Sequence, residues 1–386
     1  MTPLTHQLTD LAYDLAPRLV AIRRELHRFP ELSGEEVHTT ARLREWLTAA
    51  GIAIVPLDLP TGVVAEIRGA EPGPTIALRS DIDALPVLEE TGLPFASTIP
   101  GKMHACGHDF HMATILGAAI ILQQLTPSLC GTVRLLFQPA EEIATGANAL
   151  IRAGAMAGVR AVFGLHNKPD LPSGHVGIKA GPLMAAADTI TIRVTGKGGH
   201  AAIPDLTIDP VVAGSAIVMA LQTAVSRSTS PLDPVVVTIA SFHAGSAHNV
   251  IPPSATLEGT VRTFRSDVRA QVLESIRRLA ADVAAGYGAT ATLEVAAGTH
   301  PVDNDPAMAD LMRLAAAEVG LPVVEAIPTM GAEDFAAYQQ LAPGCFVWMG
   351  TGCAQNWHHP AFMVDEAVIP KGAALFAHTA MLALKP

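Results

Sequence analysis

At 386 residues the chain exceeds what one ordinary hydrophobic core serves, which points to two domains. Hydrophobic residues make up 49% and charged ones 16%, a balance that excludes disorder and suits a large α/β protein. The formal net charge of −11, with both signs interspersed, excludes nucleic acid and anionic membranes as partners.

Two amphipathic helices are read at the start. The first runs from Thr5 to Arg28 with a break or kink at Pro17. The second runs from Ser33 to Ala50, after Pro30, with Ser33 and Glu36 as a capping box and Gly51 as the stop. Short β-branched runs follow at Val63–Ile67 and Thr75–Leu78. Helix and strand then alternate: a helix over Asp109–Gln124, a strand over Thr132–Phe137, a helix over Gly146–Ala153 and a strand over Ala161–Leu165. Such alternation implies a mainly parallel sheet covered on both faces.

The middle reads differently. A strand at Thr189–Thr195, a helix over Asp209–Arg227, strands at Val235–Ala240 and Ala255–Thr263, a helix over Asp267–Ala285 and a strand at Ala291–Val295 give the order βαββαβ. That is the split arrangement of a ferredoxin-like α+β domain. It is read as an insertion over 183–297 in an α/β domain made of 1–182 and 298–386, which closes with a helix over Pro370–Leu384. No apolar run exceeds about half a membrane span, and the N-terminus reads as a helix and not as a signal peptide. The four cysteines form no disulfide framework, and Cys345 and Cys353 are read as free thiols, so a cytoplasmic location is expected.

The chemistry concentrates in His104-Ala105-Cys106-Gly107-His108-Asp109. Taken alone, Cys106 and His108 fit a buried cysteine beside a helix-starting histidine as well as a metal site. Further donors follow predicted strands: Glu141-Glu142, His166, and Asp81 with Asp83. His358 lies in Trp357-His358-His359-Pro360. Ligands of open α/β sheets bind beyond the carboxyl ends of the strands, where these residues cluster. Cys106, His108, Glu142, His166 and His358 are one donor more than a tetrahedral structural zinc needs, and suit two ions sharing ligands. With Glu142 on metal, Glu141 is left to move protons. Asp81 and Asp83 are read either as carboxylates behind the metal-bound imidazoles or, for Asp81, as a turn cap. A mononuclear trio of His104, His108 and His111 is the rival, and it leaves Glu141, Glu142 and His358 unexplained.

Together His-Ala-Cys-Gly-His-Asp, Gln138-Pro139-Ala140-Glu141-Glu142, Gly164-Leu165-His166 and His358-His359-Pro360 resemble the dinuclear metal amidohydrolases of the aminoacylase/carboxypeptidase family. The branch resembled holds hippurate hydrolases, N-acetyl-diaminopimelate deacetylases and auxin-conjugate hydrolases, and the likeness spans nearly the whole chain. It implies Cys106, His108, Glu142, His166 and His358 as ligands of two divalent ions (Zn, Mn, Co or Ni) and Glu141 as general base. His359 stands where relatives often carry Ser or Asn, so the ligand role goes to His358. The resemblance also implies His200, in Gly196-Lys197-Gly198-Gly199-His200, as a catalytic donor to the scissile carbonyl, and Asn249, Arg262 and Gly331 as substrate contacts. The inserted domain becomes a lid and a homodimer or tetramer face. The implied reaction is hydrolysis of N-acyl amino acids, with a dipeptidase, a carboxypeptidase or a dedicated deacetylase as alternatives.

Overall fold

Leu8, Ala12, Leu19, Ile22 and Leu26 form one buried stripe that carries helix α1 (Pro3–Arg28) unbroken through Pro17. The protein is described here over residues 3–385 of a computed structural model. Pro17 removes one helical donor, but continuous packing of the stripe holds the helix together, so the expected break is absent. Helix α2 (Val37–Ala49) starts later than the capping-box reading places it. The Ser33 hydroxyl donates to Asp83 instead. The carboxylate of Glu31 caps the helix, accepting from the backbone of His38 at 3.0 Å and Thr39 at 2.8 Å.

The chain continues through β1 (Ala53–Ile54), β2 (Val63–Arg68), β3 (Glu71–Asp81), α3 (His108–Gln124), β4 (Cys130–Gln138), α4 (Gly146–Arg152), β5 (Val159–Lys168), β6 (Val176–Ile178) and β7 (Gly181–Met184). Next come β8 (Ala186–Thr195), β9 (Gly199–His200), α5 (Pro210–Ser226), β10 (Val235–Ala244), β11 (Val250–Ile251), β12 (Ser254–Thr263), α6 (Ser266–Gly286) and β13 (Thr290–Ala297). The last part holds β14 (Val302–Asn304), α7 (Pro306–Glu318), β15 (Val323–Glu325), α8 (Ala336–Gln339), β16 (Gly344–Gly350) and α9 (Ile369–Ala383). Two compact units result. The first comprises 1–183, 303–327 and 334–386, and the second 184–302 and 328–333.

The first unit is built on an eight-stranded sheet in the order β1-β2-β4-β3-β5-β16-β6-β15. Its centre, β4-β3-β5-β16, is parallel throughout, so the fold is α/β with a mainly parallel sheet. Helix α3 is buried on all sides from His108 to Leu122 and packs on α1 and α9. The close approach needs Gly117, where a Cβ would stand 2.6 Å from Leu19 and 2.8 Å from Ala373.

The second unit carries an antiparallel sheet in the order β10-β12-β8-β13 with α5 and α6 packed on it. Ile190, Ile192, Val194, Ile217, Leu221, Leu257, Val272 and Ile276 fill its own core. Asp188 on β8 receives both Nε (2.7 Å) and Nη2 (2.5 Å) of Arg269 on α6, which pins helix to sheet. Among the described residues no helix is long and apolar enough to cross a membrane.

Candidate metal centre

The three adjacent parallel strands β4, β3 and β5 end side by side, with Asp81 opposite Gln138 in the register. Past these ends lie Asp83, the pair Glu141-Glu142, and His166 near the end of β5. Helix α3 begins at His108, and Gly107 before it has φ 88°, a left-handed backbone that favours glycine. A Cβ there would stand 2.4 Å from Asn167 Nδ2, so nothing larger lets Cys106 and His108 approach β5 this closely. The backbone of His358 (φ 65°) donates to the carbonyl of Ala105 at 2.8 Å, which ties the C-terminal loop to the same motif.

Two clusters of donor atoms share one thiol. Atoms of Cys106, His108 and His166 lie within 4.8 Å of one another, and so do those of Cys106, Glu142 and His358. Cys106 Sγ is 3.3 Å from His166 Nε2, His108 Nε2 is 3.8 Å from Glu142 Oε1, and His358 Nε2 is 3.6 Å from Glu142 Oε2. Such gaps are about those between atoms each bound 2.0–2.3 Å from a common ion. His108 Nε2 and Glu142 Oε1 are buried with no hydrogen-bond partner among the described residues. Orphaned polar atoms facing each other are costly unless something bridges them.

The electrostatics ask for the same thing. Burial by itself would lower the His108 pKa, but Asp81, Asp83 and Glu142 outweigh it and push it up to about 10. Burial and the carboxylates of Glu142, Glu141 and Asp81 push the Cys106 thiol well above its ordinary value. Burial and the neighbouring His111 hold His166 well below its own, so it stays a neutral donor. Cations would take the place of the His108 proton and stabilise the Cys106 thiolate. The donor set fits two divalent ions.

Supporting contacts orient the donors. His108 Nδ1 donates to Asp83 Oδ1 at 3.2 Å, which leaves the Nε2 lone pair facing the cluster. Asp83 Oδ2 accepts from the Ser33 hydroxyl at 2.7 Å and from the backbone of Glu142 at 3.0 Å. Burial would raise the Asp83 carboxyl, but these bonds hold it below its ordinary value. His166 Nδ1 donates to the carbonyl of Asn167 at 2.8 Å. Asp81 accepts from His111 Nδ1 at 2.7 Å and from Arg79 Nη1 at 2.8 Å, and its Oδ2 lies 3.8 Å from His108 Nε2.

His111 Nε2 accepts the backbone N–H of Asn167 at 2.9 Å, so both its nitrogens are used and it is no ligand. His104 is buried, its pKa pushed down to about 4 chiefly by burial, and it enters no donor cluster among the described residues. The rival trio is therefore not assembled. His359 is exposed and accepts the N–H of Ala361 at 3.0 Å, and it is His358 that faces Glu142. Glu141 is nearly buried, and its carboxylate lies within 4.8 Å of donor atoms of His108 and Glu142.

Asn167 is a site residue that motif reading passes over. It spans Cys106 O (2.5 Å), His111 Nε2 and the Trp357 indole N–H (3.1 Å to its carbonyl). Its position directly after His166 is the only hint that the sequence offers.

The other expected residues lie in the second unit. His200 on β9 pairs with Val250 of β11, next to Asn249, whose carbonyl accepts from Ala201 at 3.1 Å. His200 Nδ1 accepts the N–H of Ala202 at 3.0 Å, so a neutral ring carries its proton on Nε2, and the side chain is exposed. Arg262 is half-buried on β12, and its guanidinium has no hydrogen-bond or ion-pair partner among the described residues. Gly331 is exposed, and its carbonyl accepts from Ala185 at 2.9 Å.

A family model for peptidase family M20/M25/M40 matches residues 77–382. The chain is 51% identical over 369 residues to an N-acetylcysteine deacetylase of Bacillus subtilis, covering 95% of this chain and 97% of that one. It is 39% identical over 391 residues to thermostable carboxypeptidase 1 of Saccharolobus solfataricus, covering 99% and 98%. Among solved structures, the YXEP protein of Bacillus subtilis, a dinuclear metal binding peptidase from the M20 family, superposes with a TM-score of 0.89. That protein is 47% identical, with 96% of this chain and 99% of that chain covered.

Proposed function

The chain belongs to peptidase family M20/M25/M40, and on that premise we propose that it hydrolyses the amide bond of N-acyl amino acids at a centre of two divalent cations. The observation that carries this reading is the pair of donor clusters joined at Cys106, with a second glutamate, Glu141, beside them. Zinc, manganese, cobalt or nickel each suit one thiolate with imidazole and carboxylate donors. Bound there, two such ions lower the pKa of a water towards about 7 and polarise the scissile carbonyl.

The chain's own residues do the rest. Cys106, His108, Glu142, His166 and His358 hold the ions. Asp83 fixes the His108 tautomer through Nδ1. Glu141 accepts the proton of the attacking water on its carboxylate and returns it to the departing amino nitrogen. In the second unit, the exposed His200 has Nε2–H to donate to a carbonyl oxygen as it gains charge, because its Nδ1 is occupied by a backbone N–H. The guanidinium of Arg262, without a partner among the described residues, suits the free carboxylate of an amino acid, with Asn249 and the backbone of Gly331 as further contacts. A homodimer formed through the second unit belongs to the proposal, supported by the exposed Val212 and Met219 on α5. So does a cytoplasmic location, supported by four unpaired cysteines.

The test is hydrolysis of N-acetyl and N-benzoyl amino acids before and after chelation. Glu141→Gln should keep both ions and lose turnover by about 10²–10⁴-fold. Retained turnover, or loss of the metals, contradicts the assignment. A carboxypeptidase action is the second reading, favoured by the likeness to thermostable carboxypeptidase 1. Faster cleavage of dipeptides with a free amino group than of their N-acyl counterparts would select it.

A further inference from the structure

We propose that Glu36 is a positioning residue for Glu141, holding the backbone of the loop that presents this base; the inference rests on Glu141 being the base. Glu36 precedes α2 and makes no side-chain cap to that helix, because Glu31 does so. Its side chain is fully buried and turned inward, where Oε1 accepts the N–H of Ala140 at 2.8 Å. The backbone of Gly34 and the hydroxyl of Thr61 also face this carboxylate. A buried carboxylate without a cationic partner is a poor choice for stability alone, and burial accordingly raises its pKa.

The bond lands where the backbone most needs it. Ala140 has φ 52° and Ala144 has φ 54°, left-handed conformations that a residue with a Cβ adopts only when its surroundings enforce them. These two bracket Glu141-Glu142. Two buried carboxylates hold the loop from outside it: Glu36 takes Ala140 N–H on one side of Glu141, and Asp83 takes Glu142 N–H at 3.0 Å on the other. Asp83 also orients His108, so its loss disturbs metal binding directly. Glu36 makes no hydrogen bond to any of the five proposed ligands, so its effect should appear in turnover and not in metal content.

Two substitutions of similar volume separate the possibilities in the metal-loaded protein, with Glu141→Gln measured alongside. Glu36→Gln keeps an oxygen to accept Ala140 N–H, whereas Glu36→Met removes the acceptor. The expected result for Glu36→Met is a kcat at least about tenfold lower with KM within about twofold and two ions still bound. Faster hydrogen exchange at the Ala140 amide should accompany it, and Glu36→Gln should keep kcat within about threefold of wild type. Wild-type kcat in Glu36→Met, equal losses in both variants, or a loss that tracks metal content would overturn the proposal. Should Glu36→Met not fold, Glu36→Gln decides: near-native kcat with a protected Ala140 amide supports it, and a tenfold loss overturns it. Activity retained by Glu141→Gln would instead sink the base assignment itself, a separate failure.

Discussion

Asp83 makes contacts at two places in the centre at once, through the His108 ring and the backbone of Glu142. Replacing it with Asn keeps the shape but turns one acceptor into a donor and removes a charge beside two cations. Asp83→Asn should weaken metal affinity by about 10- to 100-fold, read by chelator competition, with the fold intact; unchanged affinity would show that His108 needs no such partner. The donors themselves were legible in the sequence, because thiol, imidazole and carboxylate in short motifs rarely serve a core. Their supports were not. Asn167 and Glu36 are ordinary polar residues whose partners, Cys106 and Ala140, lie far away in the chain. The doublet His358-His359 was divided by the resemblance, which gave the ligand role to His358, and in the structure it is the His358 ring that faces Glu142. Asp81 looked equivalent to Asp83, and only the register of β3 turns it towards His111 and Arg79.

At the scale of elements, the first turn of α3 is held by a buried ionic cluster. Asp109 Oδ2 receives Arg23 Nε at 2.7 Å and His27 Nδ1 at 2.8 Å from α1, and His27 Nε2 meets Glu89 at 3.1 Å. Removing one partner of such a pair strands the other, so Arg23→Met should cost about 3–5 kcal/mol of stability by denaturant unfolding. A loss within experimental error would mean the cluster is not what anchors the helix. The cluster also gives stability a pH dependence. Burial would lower the His27 pKa, but Asp109 and Glu89 raise it above the ordinary 6.5. A raised pKa contributes stability that is fully present below 6.5 and is lost as pH climbs through the folded value. The gap in Tm between wild type and His27→Gln should therefore shrink as pH rises from 6.5, and a gap independent of pH would contradict it. Strands and helices with a clear period were readable, as in β8, whose burial alternates along its length. Helix α3 shows why periodicity has limits: buried all round from His108 to Leu122, it has no apolar stripe. Strand β16 is seven buried residues between glycines, with no alternation to mark it as a strand. The Ser33 capping box failed because a competing acceptor, Asp83, lies within reach only in the folded chain.

Over the whole molecule, the metal donors all lie in the first unit, while His200, Asn249, Arg262 and Gly331 lie in the second. Ion binding should therefore stabilise the first unit, by about 2.7 kcal/mol per ion at a hundredfold excess over Kd. Chelation should lower its Tm, and His200→Ala should reduce turnover while leaving metal content and that Tm alone. Loss of metal in His200→Ala would contradict the role given to the second unit. The mainly parallel sheet was legible because helix and strand alternate from α3 to β5, and the βαββαβ order because it broke that rhythm. The C-terminal return was read only as α/β, since β15 and β16 rejoin the sheet beside β6 and β5, far back in the chain, and local pattern does not record such pairing. The most direct test of a centre joined at Cys106 is a titration of the chelator-stripped protein with one divalent metal, following hydrolysis of an N-acetyl amino acid. Activity should rise and saturate at two equivalents per chain. Full activity at one equivalent, or without metal, would contradict the account.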